Sequence, residues 1–400
     1  MEDTPSPPKF LPDDVLLEVL GRVAVKDIAA LFRCAAACKR WCYLITDPSF
    51  LCLRWPEGAS HTSDLVGFFT QQRCKAGDQN DDRDGAGMSA PPVFDPTTGS
   101  VFGSVRRSLA SFVRGTAAGL LDGAKPLVAR GGFLLVRLAP VTCVSDSILL
   151  AACNVLTGTC DVLPPLEKRS SAFTRYVYAI LTGEDCDASN NSTRFFKVLA
   201  MGLVNNFKDP ETEKLQCDLH TLTADEPSWT THTECFPGAI DLCWRHWKDA
   251  VVCDGVVSWL YASMSYNDDI NYLQFSTIDV SAKNGRLTLT KLSFPPPMIL
   301  PITGCYRLAA VGGTVSLLCY YIKQGEKHFC QETWKQGDDV GGDRPCSRAT
   351  KLTGSGDEAA GPLSPMAMDD VPMEIDWPAL LISRLARYAE VIPASGTSIS

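Results

Sequence analysis

The sequence has few histidines and no cysteine pair at the C-x-x-C spacing. Seventeen of its 400 residues are cysteine, yet none form C-x-x-C, and the five histidines are scattered. A structural zinc site needs four clustered ligands, so we expect no metal. Cys34, Cys38 and Cys42, at i, i+4 and i+8, are predicted instead to line one buried helical face. Most other cysteines lie in apolar runs such as LLAACNV and are expected to pack as small hydrophobic side chains.

Sequence motifs of common catalytic sites are also absent. The chain has no G-x-S-x-G, no G-x-x-x-x-G-K-[ST] and no H-E-x-x-H, and GLLDGAKP lacks the spacing of a phosphate loop. We therefore expect a protein that is not an enzyme and binds no cofactor.

Excess positive charge and long apolar runs are missing as well. The net charge of −9 argues against nucleic acid as the partner. No apolar run approaches the roughly 20 residues of a membrane-spanning helix, and GGFLLVRLAPV is interrupted by Arg137. The N-terminal MEDTPSPPKF does not resemble a signal peptide. These features predict an intracellular protein, cytoplasmic or nuclear or both, that does not bind membranes and keeps its thiols reduced.

The stretch LPDDVLLEVLGRV predicts a helix whose apolar surface is larger than the short helical region around it can bury. Pro12 with Asp13 and Asp14 suits a helix start, and Gly21 is a plausible stop. The apolar side chains cover about 240° of the helix circumference. They are Leu11, Val15, Val19 and Val23 in one stripe, extended by Leu16, Leu17 and Leu20. Because a unit of about forty residues is near the lower limit for independent folding, this surplus predicts contact on two sides.

Further short helices are predicted from Asp27 to Asp47-Pro48, since apolar residues keep a helical period there. After Trp55-Pro56 the sequence changes to short strand-like runs separated by turn residues. We assign these runs to a domain over residues 61–336, with a polar loop at 74–92. The runs recur every 40 to 55 residues. That period favours a β-propeller over a single large sandwich.

Residues 337–375 are predicted as a flexible linker because they are rich in glycine and polar residues. Residues 376–392 predict a C-terminal amphipathic helix, with Trp377, Leu381 and Leu385 at helical spacing. This helix either packs on its own β-domain or docks on another protein.

The N-terminal motifs resemble a known family. Leu11-Pro12-Asp13-Asp14 with Leu16-Leu17, Cys38-Lys39-Arg40-Trp41, Leu44-Ile45 and Asp47-Pro48-Ser49-Phe50 stand in the order of the F-box, over residues 9–53, after a flexible N-terminus at 1–8. The later LRWPEG, LVGFF and ACNVLTGTCDVLPP look like plant F-box proteins, especially those of grasses, with an F-box-associated β-propeller. The expected fold class is α+β and multidomain: a three-helix F-box, an all-β propeller-like domain and a short C-terminal helix.

The resemblance implies a substrate-receptor subunit of an SCF-type cullin–RING ubiquitin ligase. The F-box would dock on the Skp adaptor and the β-domain would recruit a protein for ubiquitination. It implies adaptor contact, or immediate support of it, by Leu11, Pro12, Leu16, Leu17, Leu20, Ile28, Leu31 and Trp41. Val15, Val19 and Ile45 are expected to be internal. Ala35-Ala36-Ala37 departs from the family's bulkier aliphatic side chains and predicts looser packing.

The substrate surface is less well defined by the sequence. DLCWRHWKD supplies Trp244, Arg245, His246 and Trp247 as candidate substrate-binding residues, with core packing plus a loop as the alternative. A second function stays open. The chain would then be a non-catalytic β-propeller binding module whose helical segment packs against its own β-domain as an N-terminal clasp. Exposure of Leu16, Leu17, Leu20 and Trp41 favours the ligase subunit, and their burial against the β-domain favours the clasp.

Overall fold

The computed structural model describes an N-terminal helical unit and a long series of β-strands. The residues it describes are 11–24, 28–54, 64–71, 90–97, 100, 102–113, 119–139, 147–167, 175–182, 185, 196–205, 214–224, 226–237, 250–267, 270–293, 305–311, 314–323, 326–334, 344–345, 350–352 and 371–375. The predicted N-terminal segment 1–8, most of the loop 74–92 and the predicted C-terminal helix 376–392 lie outside these ranges.

Four consecutive helices form the helical unit: α1 (Asp13–Ala24), α2 (Ile28–Ala37), α3 (Lys39–Thr46) and α4 (Pro48–Arg54). α1 begins after Pro12 as predicted but continues through Gly21, because one glycine costs a helix interior only about 1 kcal/mol. α2 ends before Cys38, whose backbone is extended. The prediction that Cys34, Cys38 and Cys42 share one helical face is therefore wrong. The F-box resemblance implied three helices, and the described part of the chain has a fourth, α4.

Twenty-three strands are assigned among the described residues. They are β1 (Asp64–Thr70), β2 (Val93–Pro96), β3 (Arg107–Ser108), β4 (Lys125–Arg130), β5 (Phe133–Arg137), β6 (Ser147–Ile148), β7 (Leu150–Asn154), β8 (Thr159–Val162), β9 (Leu166–Glu167), β10 (Arg175–Thr182), β11 (Phe196–Asn205), β12 (Lys214–Thr223), β13 (Thr230–Pro237), β14 (Ala250–Cys253), β15 (Val256–Asn267), β16 (Ile270–Ser281), β17 (Leu287–Ser293), β18 (Cys305–Val311), β19 (Thr314–Lys323), β20 (Glu326–Trp334), β21 (Arg344–Pro345), β22 (Thr350–Leu352) and β23 (Val371–Ile375). A short 3-10 helix, Leu109–Ser111, follows β3.

The strands form a succession of small sheets. In chain order these are the first sheet β23-β1-β2-β3, the second β4-β5-β7-β8, the third β10-β11-β12-β13, the fourth β14-β15-β16-β17-β21 and the fifth β18-β19-β20-β22, with β6 and β9 as a separate pair. Within each large sheet the strands are mostly consecutive and antiparallel, apart from the parallel pair β17 and β21. Such successive antiparallel sheets give the domain its propeller-like arrangement.

Neighbouring sheets pack face to face. Leu134 and Val136 of β5 share a core with Phe69 and Phe94 of the first sheet, whereas Leu135 between them packs toward the third sheet. The third sheet likewise shares one core with the second sheet and another with the fourth. Because successive side chains point to opposite faces, a strand buried on both faces needs a continuous apolar run. This explains FLLVR and similar runs, and it favours the propeller over the single sandwich.

Two-residue turns join the first two strands of the second and fourth sheets. Gly131 and Gly132 both have positive φ between paired Arg130 and Phe133, and a Cβ on Gly132 would lie 2.2 Å from Leu156. Asp254 and Gly255 also both have positive φ, and they lie between the paired residues Cys253 and Val256. Positive φ at both positions is what a type I′ hairpin requires.

The last described strand completes the first sheet. β23 pairs antiparallel with β1, with Phe69 opposite Val371 and Gly67 opposite Met373. β21, β22 and β23 all fall within the range predicted as a flexible linker, so that prediction is wrong for these residues. Here β1, the first strand of the β-domain, pairs with a strand from the C-terminal part of the chain. Met373 and Val371 are buried in the core shared by the first and second sheets.

Candidate functional site

The helical unit has its own hydrophobic core. Its buried members come from all four helices, and Leu17, Cys34, Trp41 and Leu44 pack partly buried against them. The buried members are Leu20, Leu31, Ala35, Cys42, Ile45, Phe50 and Leu51. Every described member of this core is a helical residue, so among the described residues the helices pack mainly on one another.

The predicted adaptor residues fall into two groups. Leu16, Leu20 and Leu31 are buried, so their side chains lie beneath the surface of the helical unit and support it rather than form part of it. Leu17 and Trp41 are half-buried, while Leu11 and Pro12 are exposed. Ile28 begins α2, and its side chain is outside the described part of the molecule. The eight residues therefore do not make one contiguous exposed patch.

The exposed apolar residues of α1 lie beside its buried face, which carries Leu16 and Leu20. Leu11, Val15 and Val19 are 56%, 37% and 46% exposed. Four-residue spacing places them along one side of the helix, and we call these three residues the α1 stripe. The prediction that Val15 and Val19 are internal is wrong, whereas Ile45 is buried as predicted. The apolar arc of α1 is therefore buried at Leu16 and Leu20 and exposed to solvent at Val15 and Val19.

An arginine from α3 fixes the start of α1. Arg40 Nε donates to Asp13 Oδ1 at 2.8 Å, and its Nη2 donates to the backbone oxygen of Leu11 at 2.5 Å. Leu16 N donates to Pro12 O at 3.1 Å, so the helical hydrogen bonding begins at Pro12. These bonds hold Leu11, the first residue of the α1 stripe, against the body of the unit.

Asp47 links α3 to α4. Its Oδ1 accepts from Ser49 N at 2.8 Å and also from Ser49 Oγ, and Pro48 occupies the first position of α4. This is the arrangement of a helix N-cap followed by proline. The hydrogen bonds from the side chain and backbone of Ser49 lower the pKa of Asp47 below its ordinary value. The Asp-Pro-Ser part of the motif thus starts a helix, although the sequence indicated only the end of one.

The predicted substrate residues Trp244, Arg245, His246 and Trp247 lie outside the described residues. Among the residues described, a different concave surface lies between the third and fourth sheets. It has a volume of about 580 Å³ and is lined by residues 197, 199, 219, 221, 230–232 and 280–286. We call it the inter-sheet groove.

The inter-sheet groove combines basic, hydroxyl and apolar side chains. Lys197 stands on β11, while Lys283 and Arg286 belong to the turn between β16 and β17. His232 of β13 also lines it, with Nε2 at 3.4 Å from Oε2 of Glu234, which is not among the lining residues. Thr221, Thr230, Thr231, Ser281 and Asn284 supply neutral polar groups, and none of the lining residues that the structure describes is acidic.

Buried carboxylates near the inter-sheet groove are held by threonines. Asp218 of β12 accepts from Thr233 at 2.7 Å, and Asp279 of β16 accepts from Thr277 at 3.1 Å and Thr290 at 2.9 Å. In each case one threonine comes from the next strand of the sheet. Buried polar groups with such partners stabilise a sheet, and we assign these carboxylates a structural role.

Two thiols face each other on β7 and β8. Cys153 and Cys160 are directly opposite, with their sulfur atoms 3.2 Å apart, and Cys153 is fully buried. The hydrogen bond from Cys153 together with burial raises the pKa of that thiol, and the same hydrogen bond lowers the pKa of Cys160. Sequence reasoning treated both cysteines only as small core residues.

Two general findings concern the residues that the structure describes. Within those ranges, no three His, Cys, Asp or Glu side chains gather as metal ligands would. None of the described helices has the length and apolarity to cross a membrane.

Comparison with known proteins gives one family match. Residues 9–52 match the family model described as F-box-like. No curated protein sequence matches the chain.

Solved structures with some likeness include the α-L-arabinanase of Penicillium chrysogenum complexed with arabinobiose, at 11% identity and a TM-score of 0.34. That alignment covers 57% of this chain and 65% of the arabinanase, so the chain spans less than two thirds of that protein. Zg3597, a family 117 glycoside hydrolase from Zobellia galactanivorans, is 14% identical, with 72% and 77% of the two chains covered and a TM-score of 0.28. At these TM-scores, neither likeness supports an argument about activity.

Proposed function

We propose that this chain is a substrate-receptor subunit of an SCF-type cullin–RING ubiquitin ligase. Its helical unit docks on the Skp adaptor through the α1 stripe, and its β-domain recruits the protein to be ubiquitinated. An F-box-like region supports this role in general and points to an adaptor rather than a catalytic protein. An adaptor needs no catalytic group, because holding a substrate beside the transfer machinery raises its effective concentration.

The observation that carries the proposal is the open side of α1 in the F-box-like region. The unit buries Leu20 and Leu31 internally yet leaves Leu11, Val15 and Val19 exposed along one line. Contiguous exposed apolar residues are typical of interaction surfaces. A partner that covered this line would gain about 25 cal/mol for each Å² of apolar surface removed from water.

The clasp alternative receives less support. A clasp would bury the apolar side chains of the helices against the sheets. The described core of the helical unit contains helical residues only. The arrangement therefore favours a unit that presents its surplus apolar surface to another molecule.

The experiment is capture of purified full-length chain on immobilised Skp adaptor. The test variant is Val15→Asp/Val19→Asp, which places two charges on the α1 stripe. Val105→Asp/Val162→Asp is the matched control, because Val105 and Val162 are 66% and 55% exposed and lie outside the helical unit. We expect the stripe variant to lose at least about tenfold in affinity, since a charge must then be desolvated in an apolar contact. The control should bind as the unsubstituted chain does.

Two further variants separate surface from support. Leu20→Ala should lower the unfolding temperature of the helical unit, because Leu20 is in its core. Trp41→Ala should weaken capture with less effect on folding, because Trp41 is only half-buried. Equal capture of the unsubstituted chain and the stripe variant would refute docking through the α1 stripe, and failure of the unsubstituted chain to be captured would refute the ligase role.

A further inference from the structure

We propose that the inter-sheet groove binds a carboxylate-rich segment of the protein that this chain recruits. The proposal rests on the proposed function, since it names the chemical class of the substrate. It assigns recognition to residues of the third and fourth sheets rather than to the DLCWRHWKD stretch.

Charge is the first argument. The whole chain carries a net charge of −9, yet the described lining of the groove includes Lys197, Lys283 and Arg286 and, among those described residues, none that is acidic. Because concave walls of low dielectric focus the field of such charges, the groove attracts anionic groups selectively.

The second argument is that the cations are held on an ordered frame. In the turn between β16 and β17, Ser281 N donates to Arg286 O at 3.1 Å, and Arg286 N donates to Asn284 Oδ1 at 3.0 Å. Ala282 N donates to Gly255 O at 2.8 Å, which ties the turn to the hairpin of β14 and β15. A binding surface that is ordered beforehand loses less entropy when the ligand arrives.

The two walls of the groove are also connected. Lys197 Nζ on the third sheet lies 3.5 Å from the backbone oxygen of Ala282 in the turn of the fourth sheet. Its ammonium group therefore lies beside the turn that carries Lys283 and Arg286. Cations from two sheets converge on one space, which no single strand or turn provides.

Size and lining favour a peptide segment over a single small anion. A volume of about 580 Å³ is far larger than one carboxylate group needs and lies within the usual range of ligand pockets. Leu199, Leu219 and Val280 offer apolar contact, while threonine hydroxyls offer hydrogen bonds to a backbone. Lys197 and Lys283 supply point charges and Arg286 supplies a planar fork, so several carboxylates along an extended chain can each meet a cation.

The test measures fluorescence anisotropy of labelled peptides with purified full-length chain, in the absence of adaptor. One peptide alternates Asp or Glu with Ser, a second replaces the acids by Asn and Gln, and a third carries phosphoserine in place of the acids. The groove variant is Lys283→Glu/Arg286→Glu. The matched control is Arg106→Glu/Arg107→Glu, which changes the net charge equally at two exposed arginines beside the first sheet. Lys283→Ala/Arg286→Ala is a milder second variant, and unfolding temperatures establish that all three fold.

We expect the acidic peptide to bind at least about tenfold more tightly than its amide counterpart, and the groove variant to lose at least about tenfold. The alanine variant should lose less, and the control should stay within about twofold of the unsubstituted chain. Affinity should fall as salt rises from about 50 to about 300 mM, because screening shortens the reach of the cations.

Three results would overturn the assignment: equal binding of the acidic and amide peptides, unchanged binding by a folded groove variant, or tighter binding of the phosphorylated peptide by tenfold or more. Adaptor capture is measured separately on the same protein. If capture fails while the acidic peptide binds, the ligase role is wrong and the groove assignment stands. If capture succeeds while the peptide does not bind, the reverse holds.

Discussion

Arg130 and Asp185 form a two-point ion pair that joins the second sheet to the end of the third sheet's first strand. Arg130 Nη2 donates to Asp185 Oδ1 at 2.7 Å, and its Nε donates to Oδ2 at 3.2 Å. Asp185 also accepts from Thr182 N at 2.8 Å and from Thr182 Oγ1 at 3.0 Å. The Asp185 side chain is 8% exposed and that of Arg130 is 35% exposed.

Asp185→Ala should lower the free energy of unfolding by about 2–4 kcal/mol, because it leaves the arginine and the Thr182 donors without their acceptor. Urea unfolding measures the change. Arg106→Ala is the control, since Arg106 and Asp95 form an exposed pair at 3.3 Å. It should change the free energy of unfolding by less than about 1 kcal/mol. Equal effects of the two substitutions would mean that the Arg130 pair contributes no more than a surface contact.

Met373→Ala should destabilise the first sheet. Met373 is fully buried in the core between the first and second sheets, and its removal leaves a cavity. We expect a loss of about 2–4 kcal/mol in urea unfolding. Hydrogen exchange should show faster exchange in β1 and β23 than in the third sheet. Pro372→Ala, at a half-buried neighbour, serves as the control, and similar losses in both variants would contradict the role of Met373.

Asp47 should make the helical unit sensitive to acid. Its pKa is lower in the folded chain than in the unfolded chain, so its contribution is complete at neutral pH and is lost as pH falls through the folded value. Asp47→Ala should lower the unfolding free energy by about 1 kcal/mol at pH 7. Asp47→Asn should keep most of the stability yet flatten the pH dependence between about pH 5 and pH 2. Thermal unfolding over that range provides the measurement, and an unchanged pH profile in Asp47→Asn would contradict the cap.

Cys153 and Cys160 should form a disulfide under mild peroxide. Two thiols lose two electrons and two protons, and one hydrogen peroxide molecule becomes two molecules of water. The sulfur atoms are 3.2 Å apart and must approach to about 2.0 Å. Because its pKa is lowered, Cys160 should be the attacking thiolate. Mass spectrometry of the linking peptides should show the loss of two hydrogens, which Cys160→Ser abolishes. An unlinked pair after peroxide treatment, with other thiols oxidised, would contradict this prediction.

The sequence predicted the helical unit and the β-rich domain well because both depend on local periodicity. Pro12 and the acidic residues after it mark the start of α1. The residues KNG at 283–285 are typical of a turn, and the structure has a turn there, closed by the hydrogen bond from Gly285 N to Ser281 O. These signals act within a few residues and need no knowledge of the rest of the fold.

Signals that depend on distant packing were missed. An apolar arc of about 240° does not specify which side meets the neighbouring helices, so Val15 and Val19 were assigned to the wrong side. β23 is short, lies among polar residues and contains Pro372, which a strand tolerates at a sheet edge. The inter-sheet groove was also missed, because Lys197 meets Lys283 and Arg286 only through packing of two sheets.

The pairing of β1 with β23 has a consequence for synthesis on the ribosome. Phe69 of β1 is synthesised about 300 residues before its partner Val371, so β1 lacks β23 as its neighbouring strand until then. At about 5–20 residues per second, that open edge lasts on the order of 15–60 seconds. Throughout that interval the unpaired backbone groups on that edge of β1 can hydrogen-bond to a strand of another chain, whereas in the folded protein β23 covers them.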